Sequence, residues 1–415
     1  MSISHRGARD RKAAKFVGQI TYRRMRILFC NYEYPPLGGG GGVVMAALAR
    51  ELAKRHSVTV LTSRALGLAA ESDDAGVRVL RSRVFFRSQL AVANVPSMAA
   101  FLPMAAARGL LLGRSAFDVI NTHFVVPTGP VGHLLARYYG IPNILSVHGG
   151  DLYDPSKRLS PHRIGMLRKP IARLLRQAEV LVGQSRNTLE HVETIYGVKR
   201  DSQLIPLGIE RPPTVRKAAR ADFGIPEDAF VMVTVGRIVP RKATPQLVKA
   251  LVAAQRPDAH LLIVGDGPDA DAVKAAAAQA GVNHRVHLTG QVPDERKYQA
   301  LGIADVFASA TQHEGFGLVF LEAMAFGLPI ICYDHGGQTD FLIEGKTGYL
   351  VKLNDFERLT QSMVDLHDRP QTRAAMADYN RKLVEHYFIE NCARQYEAVF
   401  QTAVEDHARA IAGAV

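Results

Sequence analysis

The sequence predicts an α/β protein built from two doubly wound, parallel-sheet domains, and three observations carry that prediction. Short apolar runs alternate with amphipathic helical stretches, the pattern of a parallel sheet covered on both faces. The alternation breaks at Gly208-Ile209-Glu210-Arg211-Pro212-Pro213 and then starts again. At 415 residues the chain is too long for one ordinary core, so each half is expected to close on its own.

Residues 1–24 form a basic leader. Over the first 26 residues Arg6, Arg9, Arg11, Lys12, Lys15, Arg23, Arg24 and Arg26 face only Asp10 and supply much of the net charge of +12. A disordered leader is the first reading of this stretch, and adhesion to an anionic membrane face is the second. Neither zinc-finger spacing nor an aromatic RNP-like strand is present, so nucleic acid is not an expected partner. Cys30, Cys332 and Cys392 are odd in number and far apart, which argues against a disulfide framework and for a reducing compartment. With no recognisable secretory signal at the start, a cytoplasmic protein is expected.

The first domain is expected over 25–210. Its strand-like runs are Arg26–Asn31, Ser57–Thr62, Val77–Leu80, Asp118–Asn121, Asn143–Val147, Val180–Gly183 and Gln203–Pro206. Between the first two, Val43–Arg55 repeats Val44, Ala47, Leu48 and Leu52 on one helical face. Ala91–Gly113 carries a single charge, Arg108, over 23 residues, close to the length of a spanning helix. Pro96 and Pro103 interrupt it, and Arg81, Arg83, Phe85, Phe86 and Arg87 precede it. A buried or interfacial helix is therefore expected rather than a span, with lipid contact and core packing both open.

The second domain is expected over 211–388. Arg216–Asp222 reads as a linker or short helix, followed by strands at Val231–Gly236, Leu261–Gly265, Val286–Thr289, Val306–Ser309 and Ile330–Tyr333. The Ala-rich Asp271–Ala280 is its plainest helix. Asp269-Ala270-Asp271 is formally an Asp-x-Asp metal motif, but at a helix start it reads as a cap. No metal site is expected.

The chemistry concentrates at Glu314-Gly315-Phe316-Gly317-Leu318 and at Glu322, within Glu322-Ala323-Met324-Ala325-Phe326-Gly327-Leu328-Pro329. The two carboxylates lie eight positions apart, the first in a glycine-rich turn and the second on the helix that the turn opens. Backbone N–H groups at such a helix start favour an anionic or hydroxyl-rich ligand. The plainer reading is a pair of solvated or capping acids. This segment resembles the Glu-x7-Glu signature of family-four retaining glycosyltransferases, and the resemblance extends over essentially 25–405. It implies the GT-B fold, two Rossmann-like domains facing across a cleft, with a terminal helix (about 389–410) crossing back onto the first domain. The aromatic tail from Tyr387-Phe388 through Tyr396 and Phe400 suits that helix.

The remaining motifs gain meaning from their places at strand ends, where open α/β sheets bind ligands. Arg237 and Lys242 follow the first strand of the second domain and match the family's Arg-x4-Lys pair, implied to clamp the donor diphosphate. Arg241 reads as a solvated neighbour. Gly39, Gly40 and Gly41, within Gly38–Gly42, follow the first strand of the first domain and let backbone approach a phosphate or sugar without Cβ interference. The glycine run is not a dinucleotide fingerprint, because no acid stands convincingly about 20 residues on.

His148 in Ser146-Val147-His148-Gly149-Gly150-Asp151 resembles the family's cleft histidine, implied to hydrogen-bond near the transferred sugar. Asp151 is expected to orient it or meet the acceptor. His123, just past a strand end, is expected to line the acceptor side or to be structural. Gln291 and Val292 are expected to read the nucleobase edge.

The resemblance implies metal-independent, retaining transfer of a sugar from a nucleoside diphosphate donor to an acceptor hydroxyl, in synthesis of cell-surface polysaccharide or glycolipid. Glu314 would hold sugar hydroxyls, the amides of Gly315, Phe316, Gly317 and Leu318 would line sugar and phosphate, and Glu322 would hold ribose hydroxyls. A UDP-sugar is the first expectation and GDP-mannose the second, with a lipid-linked or saccharide acceptor and no cofactor. The rivals are a nucleotide-sugar epimerase, a phosphorylase, or an inactive subunit of a polysaccharide assembly complex. The Gly208-Ile209-Glu210 stretch departs from the commoner Gly-Val-Asp, and the first loop has extra glycines.

Overall fold

The computed structural model describes residues 23–65, 67–87, 90, 93–155 and 159–413. All but the last two residues of the basic leader lie outside that set, as do residues 91 and 92 of the apolar segment.

The first half runs β1 (Arg26–Cys30), α1 (Gly40–Ala53), β2 (Ser57–Arg64), β3 (Glu71–Asp74), β4 (Val77–Arg83), α2 (Val95–Leu110), β5 (Val119–His123), α3 (Gly129–Tyr139), β6 (Asn143–Val147), α4 (Gly165–Gln177), β7 (Val180–Gly183), α5 (Arg186–Tyr196) and β8 (Gln203–Leu204). Its sheet has the order β3-β4-β2-β1-β5-β6-β7-β8. All pairs are parallel except β3 with β4. β3 is a strand that the apolar pattern does not predict. Its Glu-Ser-Asp-Asp sequence pairs because Ala75 and Gly76, at φ 51° and 85°, fold the chain straight back onto β4.

The second half runs β9 (Phe230–Val235), α6 (Pro245–Ala253), β10 (Ala259–Val264), α7 (Ala270–Gln279), β11 (Val286–Leu288), α8 (Asp294–Ile303), β12 (Val306–Ala308), α9 (Leu318–Ala325), β13 (Ile330–Tyr333), β14 (Gly348–Val351), α10 (Phe356–Asp368) and α11 (Pro370–Val384). Its sheet is parallel throughout, in the order β11-β10-β9-β12-β13-β14. The strands are buried apolar runs because helices cover both faces. Asp269 stands at the N-cap of α7 but makes no side-chain capping bond, and Asp271 pairs with Lys274 at 3.2 Å. The Asp-x-Asp is thus a charged helix start rather than a hydrogen-bonded cap.

The last helix, α12 (Ile389–Ala412), joins the halves. Phe388, just before it, bridges to Ile209 and packs in the core of the second domain. Tyr396 and Phe400, farther along, are buried in the core of the first. Glu397 is fully buried there, and takes Arg55 at 3.0 Å and His56 Nε2 at 2.7 Å. A buried carboxylate left without such partners is strongly destabilising, so these bonds fix the register of the crossing.

The apolar segment of the first domain forms α2, which Asn94 and Ser97 start with reciprocal capping bonds. Phe101 and Ala105 enter the core, while Gly109 lies so close to Leu135 that a Cβ would meet its Cδ1 at 2.6 Å. Core packing therefore accounts for one face. Val95 stays exposed at its start, where Asn94 bonds the carbonyl of exposed Phe86, and Leu111 stays exposed at its end. Among the described residues no helix is long and apolar enough to cross a membrane.

Candidate active site

The carboxyl ends of both sheets point at one another, and the loops that leave them enclose a cleft of about 310 Å³. The first domain contributes Gly40, Gly41, Phe124, His148, Tyr153 and Gln184; the second contributes Arg241, Lys242, His313 and the stretch 314–319. The walls touch directly: Ser185 Oγ donates to the Gly315 carbonyl at 3.0 Å, and Asp340 accepts from the Arg186 backbone N–H at 2.6 Å.

Glu314 is the electrostatic centre. It is only 7% exposed, and its carboxylate accepts from Lys242 Nζ, from Arg241 at 3.3 Å and from Thr311 Oγ1 at 3.2 Å. Burial opposes its charge, but Lys242 and then Arg241 outweigh burial and bring the carboxyl down to about 2. Arg241 also donates to the His313 carbonyl at 2.9 Å, which ties the β9 loop to the β12 loop. The following turn is wedged against a second loop, where Gly337 N–H donates to the Glu314 carbonyl at 2.8 Å. A Cβ on Gly337 would meet the Gly315 carbonyl oxygen at 1.9 Å, so only glycine allows this approach.

Across the cleft, α1 opens from Gly39 with no side-chain cap and no acid in its first turn. The Gly39 N–H goes to the Glu33 carboxylate at 3.1 Å and those of Gly42 and Val43 to the Gly39 carbonyl, which leaves the N–H groups of Gly40 and Gly41 to a ligand or solvent. A Cβ on Gly41 would lie 2.5 Å from the ring of Phe124, which itself sits 4.3 Å from the His148 ring centroid. Phe124 holds φ 68°, a left-handed conformation that is costly for a bulky residue. Burial brings the His148 imidazole down to about 4, against the opposing effect of Gln184. His148 is therefore neutral at physiological pH, and Asp154 gives this wall a carboxylate, whereas the fixed cations stand on the opposite wall.

A groove beside the cleft is lined by Arg237, Asp266, Gln291, Val292 and Lys297. Arg237 and Lys242 also border a common hollow below the β9 strand end. Glu322, on α9, does not line the main cleft; it accepts from Lys297 at 2.8 Å. Burial opposes the charge of Lys297, but Glu322 outweighs it and raises the ammonium well above its usual range. Among the described residues no group of three or more His, Cys, Asp or Glu side chains is arranged to hold a metal ion.

Two family models divide the chain between its domains. The model described as Glycosyltransferase Family 4 matches residues 38–211, and that described as Glycosyl transferases group 1 matches residues 215–383. The chain belongs to glycosyltransferase family four. It is 28% identical to the GDP-mannose-dependent alpha-(1-6)-phosphatidylinositol monomannoside mannosyltransferase of Mycolicibacterium smegmatis, over 88% of this chain and 94% of that one. Its fold is that of GT-B glycosyltransferases. Sucrose-phosphate synthase from Thermosynechococcus elongatus superposes with a TM-score of 0.77 at 22% identity, covering 91% of this chain and 99% of that one. The Anabaena protein HepE in complex with UDP-glucose does so with a TM-score of 0.69 at 19% identity, covering 91% and 100%.

Within this glycosyltransferase the expected residues separate into three groups. Glu314, Lys242, His148, Gly40, Gly41, Gly315, Phe316, Gly317 and Leu318 share the main cleft. Arg237, Gln291 and Val292 share the neighbouring groove, with Glu322 behind its Lys297. Asp151, His123 and Gly39 line neither, and Gly39, at the N-cap of α1, gives its N–H to Glu33 at 3.1 Å. Asp151 accepts from the backbone N–H groups of Val125 at 2.7 Å and His148 at 2.9 Å, so it ties two loops together and orients the backbone of His148 rather than its ring. His123 is the last residue of β5, not a residue beyond it, and it is buried behind His148.

Arg241 is a further correction: it is bonded to Glu314 and His313 instead of being a solvated neighbour. Sequence reasoning also passed over Phe124, Gln184, His313 and Lys297. The first two follow the expected strands β5 and β7, so the strand-end rule reaches them. Nothing in the local pattern around Lys297 marks it.

Proposed function

We propose that this glycosyltransferase moves a hexose, with retention at the anomeric carbon and without a metal, from a nucleoside diphosphate sugar to a hydroxyl of a lipid-linked or saccharide acceptor. The observation that carries the reading is the convergence of Lys242 and Arg241 on the buried Glu314, beside the open N-terminus of α1. Fixed cations and free amide N–H groups suit a diphosphate that gains charge as its bond to sugar breaks. Arg237 and Lys242 hold that diphosphate, the amides of 315–318 line it, Gln291 and Val292 meet the base, and Glu322 holds the ribose hydroxyls.

Glu314 serves as a fixed anion. A carboxyl held near 2 cannot donate a proton at neutral pH, so general acid work is excluded, while acceptance of sugar hydroxyl bonds is favoured. In the front-face route, the bond from the anomeric carbon to the phosphate oxygen breaks as the bond to the acceptor oxygen forms. The acceptor proton passes to the leaving phosphate oxygen. GDP-mannose is supported by the mycobacterial relative and a UDP-sugar by the HepE complex. Calorimetric titration with UDP, GDP and their sugars, coupled to detection of released nucleoside diphosphate, tests the reading. Release without any added acceptor product, or binding of neither nucleotide, would overturn it.

The working place proposed is the cytoplasmic face of a membrane. Exposed Phe85, Phe86 and Val95 stand at the start of α2 and exposed Leu111 at its end, with Arg83 against Phe85, and the basic leader precedes this domain in sequence. Each basic residue near anionic lipid contributes about 1 kcal/mol, screened within a Debye length. Binding to anionic vesicles is therefore expected to fall steeply with salt and to weaken on deletion of residues 1–24. Indifference to such vesicles at low salt would point to a soluble acceptor.

A further inference from the structure

Behind the first-domain wall of the cleft, a chain of polar side chains has its proton positions determined by geometry. Asn121 Nδ2 donates to the Ile144 carbonyl at 3.0 Å and to Ser146 Oγ at 2.9 Å. A carbonyl oxygen only accepts, so this end of the amide must be the nitrogen. Asn121 Oδ1 is then the atom that faces His123 Nε2 at 2.7 Å. Because Oδ1 only accepts, His123 carries its hydrogen on Nε2. A neutral imidazole has one N–H, which leaves His123 Nδ1 as a lone pair.

That lone pair faces His148 Nε2 at 2.8 Å. His148 therefore carries its hydrogen on Nε2 as well, and its Nδ1 is bare. Among the described residues this Nδ1 is buried and has no hydrogen-bond partner, while the neighbouring Gln184 amide donates to the His148 carbonyl. Protonating both rings would set two N–H groups against each other, and burial lowers both imidazoles below their ordinary range.

The support for this chain is itself built in. Phe29 stacks on His123 with ring centroids 5.5 Å apart, and Tyr396 of the crossing helix donates to Ser146 Oγ at 3.1 Å.

We propose that Asn121 and His123 are positioning residues that lock His148, which lines the cleft, as its Nε2–H tautomer. The effect on sugar transfer rests on the reading of the cleft as a sugar-nucleotide site; the lock does not.

Nitrogen-15 NMR of the full chain labelled at histidine, without ligand and near neutral pH, reads the lock directly. His148, assigned by its disappearance in His148→Asn, is expected to show a bare Nδ1 and a protonated Nε2. A protonated Nδ1 overturns the lock whatever the cleft binds. His123→Phe removes the acceptor, and is expected to reverse the His148 tautomer and lower kcat/KM for the sugar nucleotide roughly ten- to a hundred-fold. Affinity for the nucleoside diphosphate alone should not change. His123→Gln presents a carbonyl oxygen to His148 and an amide N–H to Asn121, and is expected to restore both the tautomer and most of the activity. Equal losses in the two variants would overturn the proposal by reducing His123 to a packing residue. If the wild-type chain binds no sugar nucleotide, the proposed function falls while the spectrum still decides the lock.

Discussion

The two walls of the cleft do different work with different materials. The second-domain wall presents charge: Glu314 with Lys242 and Arg241, held in place before any ligand arrives. The first-domain wall presents glycine backbone, Phe124, Asp154 and an uncharged His148 whose support comes from three strands, β1, β5 and β6. A wall with fixed cations suits a diphosphate, and one with a carboxylate and a neutral imidazole suits a hydroxylated sugar. The contrast teaches that charge in this site is set locally, by residues that neighbour one another in two loops. The neutrality of His148 is set at a distance, by burial and by side chains on other elements.

The largest expected effect comes from discharging the charged wall. Glu314→Gln keeps the shape but removes the anion, and kcat is expected to fall roughly 100- to 1000-fold, the scale seen when one fixed electrostatic group is lost. Glu314→Ala is a poorer probe. A loop carboxylate is easily taken as free of packing, but this one is buried and holds two cations, so its removal leaves Lys242 without its partner and costs stability too. Thermal melting alongside kinetics separates the two losses. Full activity in a well-folded Glu314→Gln would break the comparison at its centre.

Lys242→Ala should weaken nucleoside diphosphate binding by roughly 1–3 kcal/mol, the worth of a charge-assisted contact in a partly buried site. An isotherm unchanged from wild type would confine Lys242 to holding Glu314. Lys297→Met removes the partner of Glu322 in the half-buried pair between α8 and α9. There the expected loss of nucleotide affinity is about fivefold at most. A loss larger than that of Lys242→Ala would shift the weight of donor recognition from the cleft to the groove.

The contrast between walls also explains what could be read from the sequence. The two parallel sheets were legible because buried strands are continuous apolar runs, such as Val231–Gly236 and Leu261–Gly265. β3 was not, since its acidic residues pair only through the turn at Ala75-Gly76. In the site, Glu314, Arg237 and Lys242 stood out through spacing within loops. The pairing of Arg241 with Glu314 spans 73 positions, and that of Lys297 with Glu322 spans 25, so no local pattern announces either. His123 was visible as a residue but not in its role. The role depends on where β5 ends and on which rings β6 places beside it.

The smallest expected effect lies on the first-domain wall and is a response to pH. With its imidazole brought down to about 4, His148 remains uncharged down to about pH 5, where roughly a tenth would be protonated. Around it stand His123, also lowered, Asp154 on the same wall, and across the cleft Lys242, Arg241 and Glu314, whose carboxyl near 2 stays charged over this range. His313, lowered by burial, borders the same space. Affinity for the intact sugar nucleotide is thus expected to stay nearly flat from pH 8 to 5 and to fall below it. The intact donor is the right probe, because the terminal phosphate of a free nucleoside diphosphate titrates near 6. The sign for stability agrees: an imidazole depressed by burial contributes stability above its ordinary pKa of 6.5, and that contribution is lost as pH falls from there through about 4. His148→Asn should abolish the downturn in affinity while leaving the charged wall intact. A wild-type profile with a midpoint near 6.5 would instead mean a solvated His148, and the first wall would then carry positive charge at the pH where the second one works.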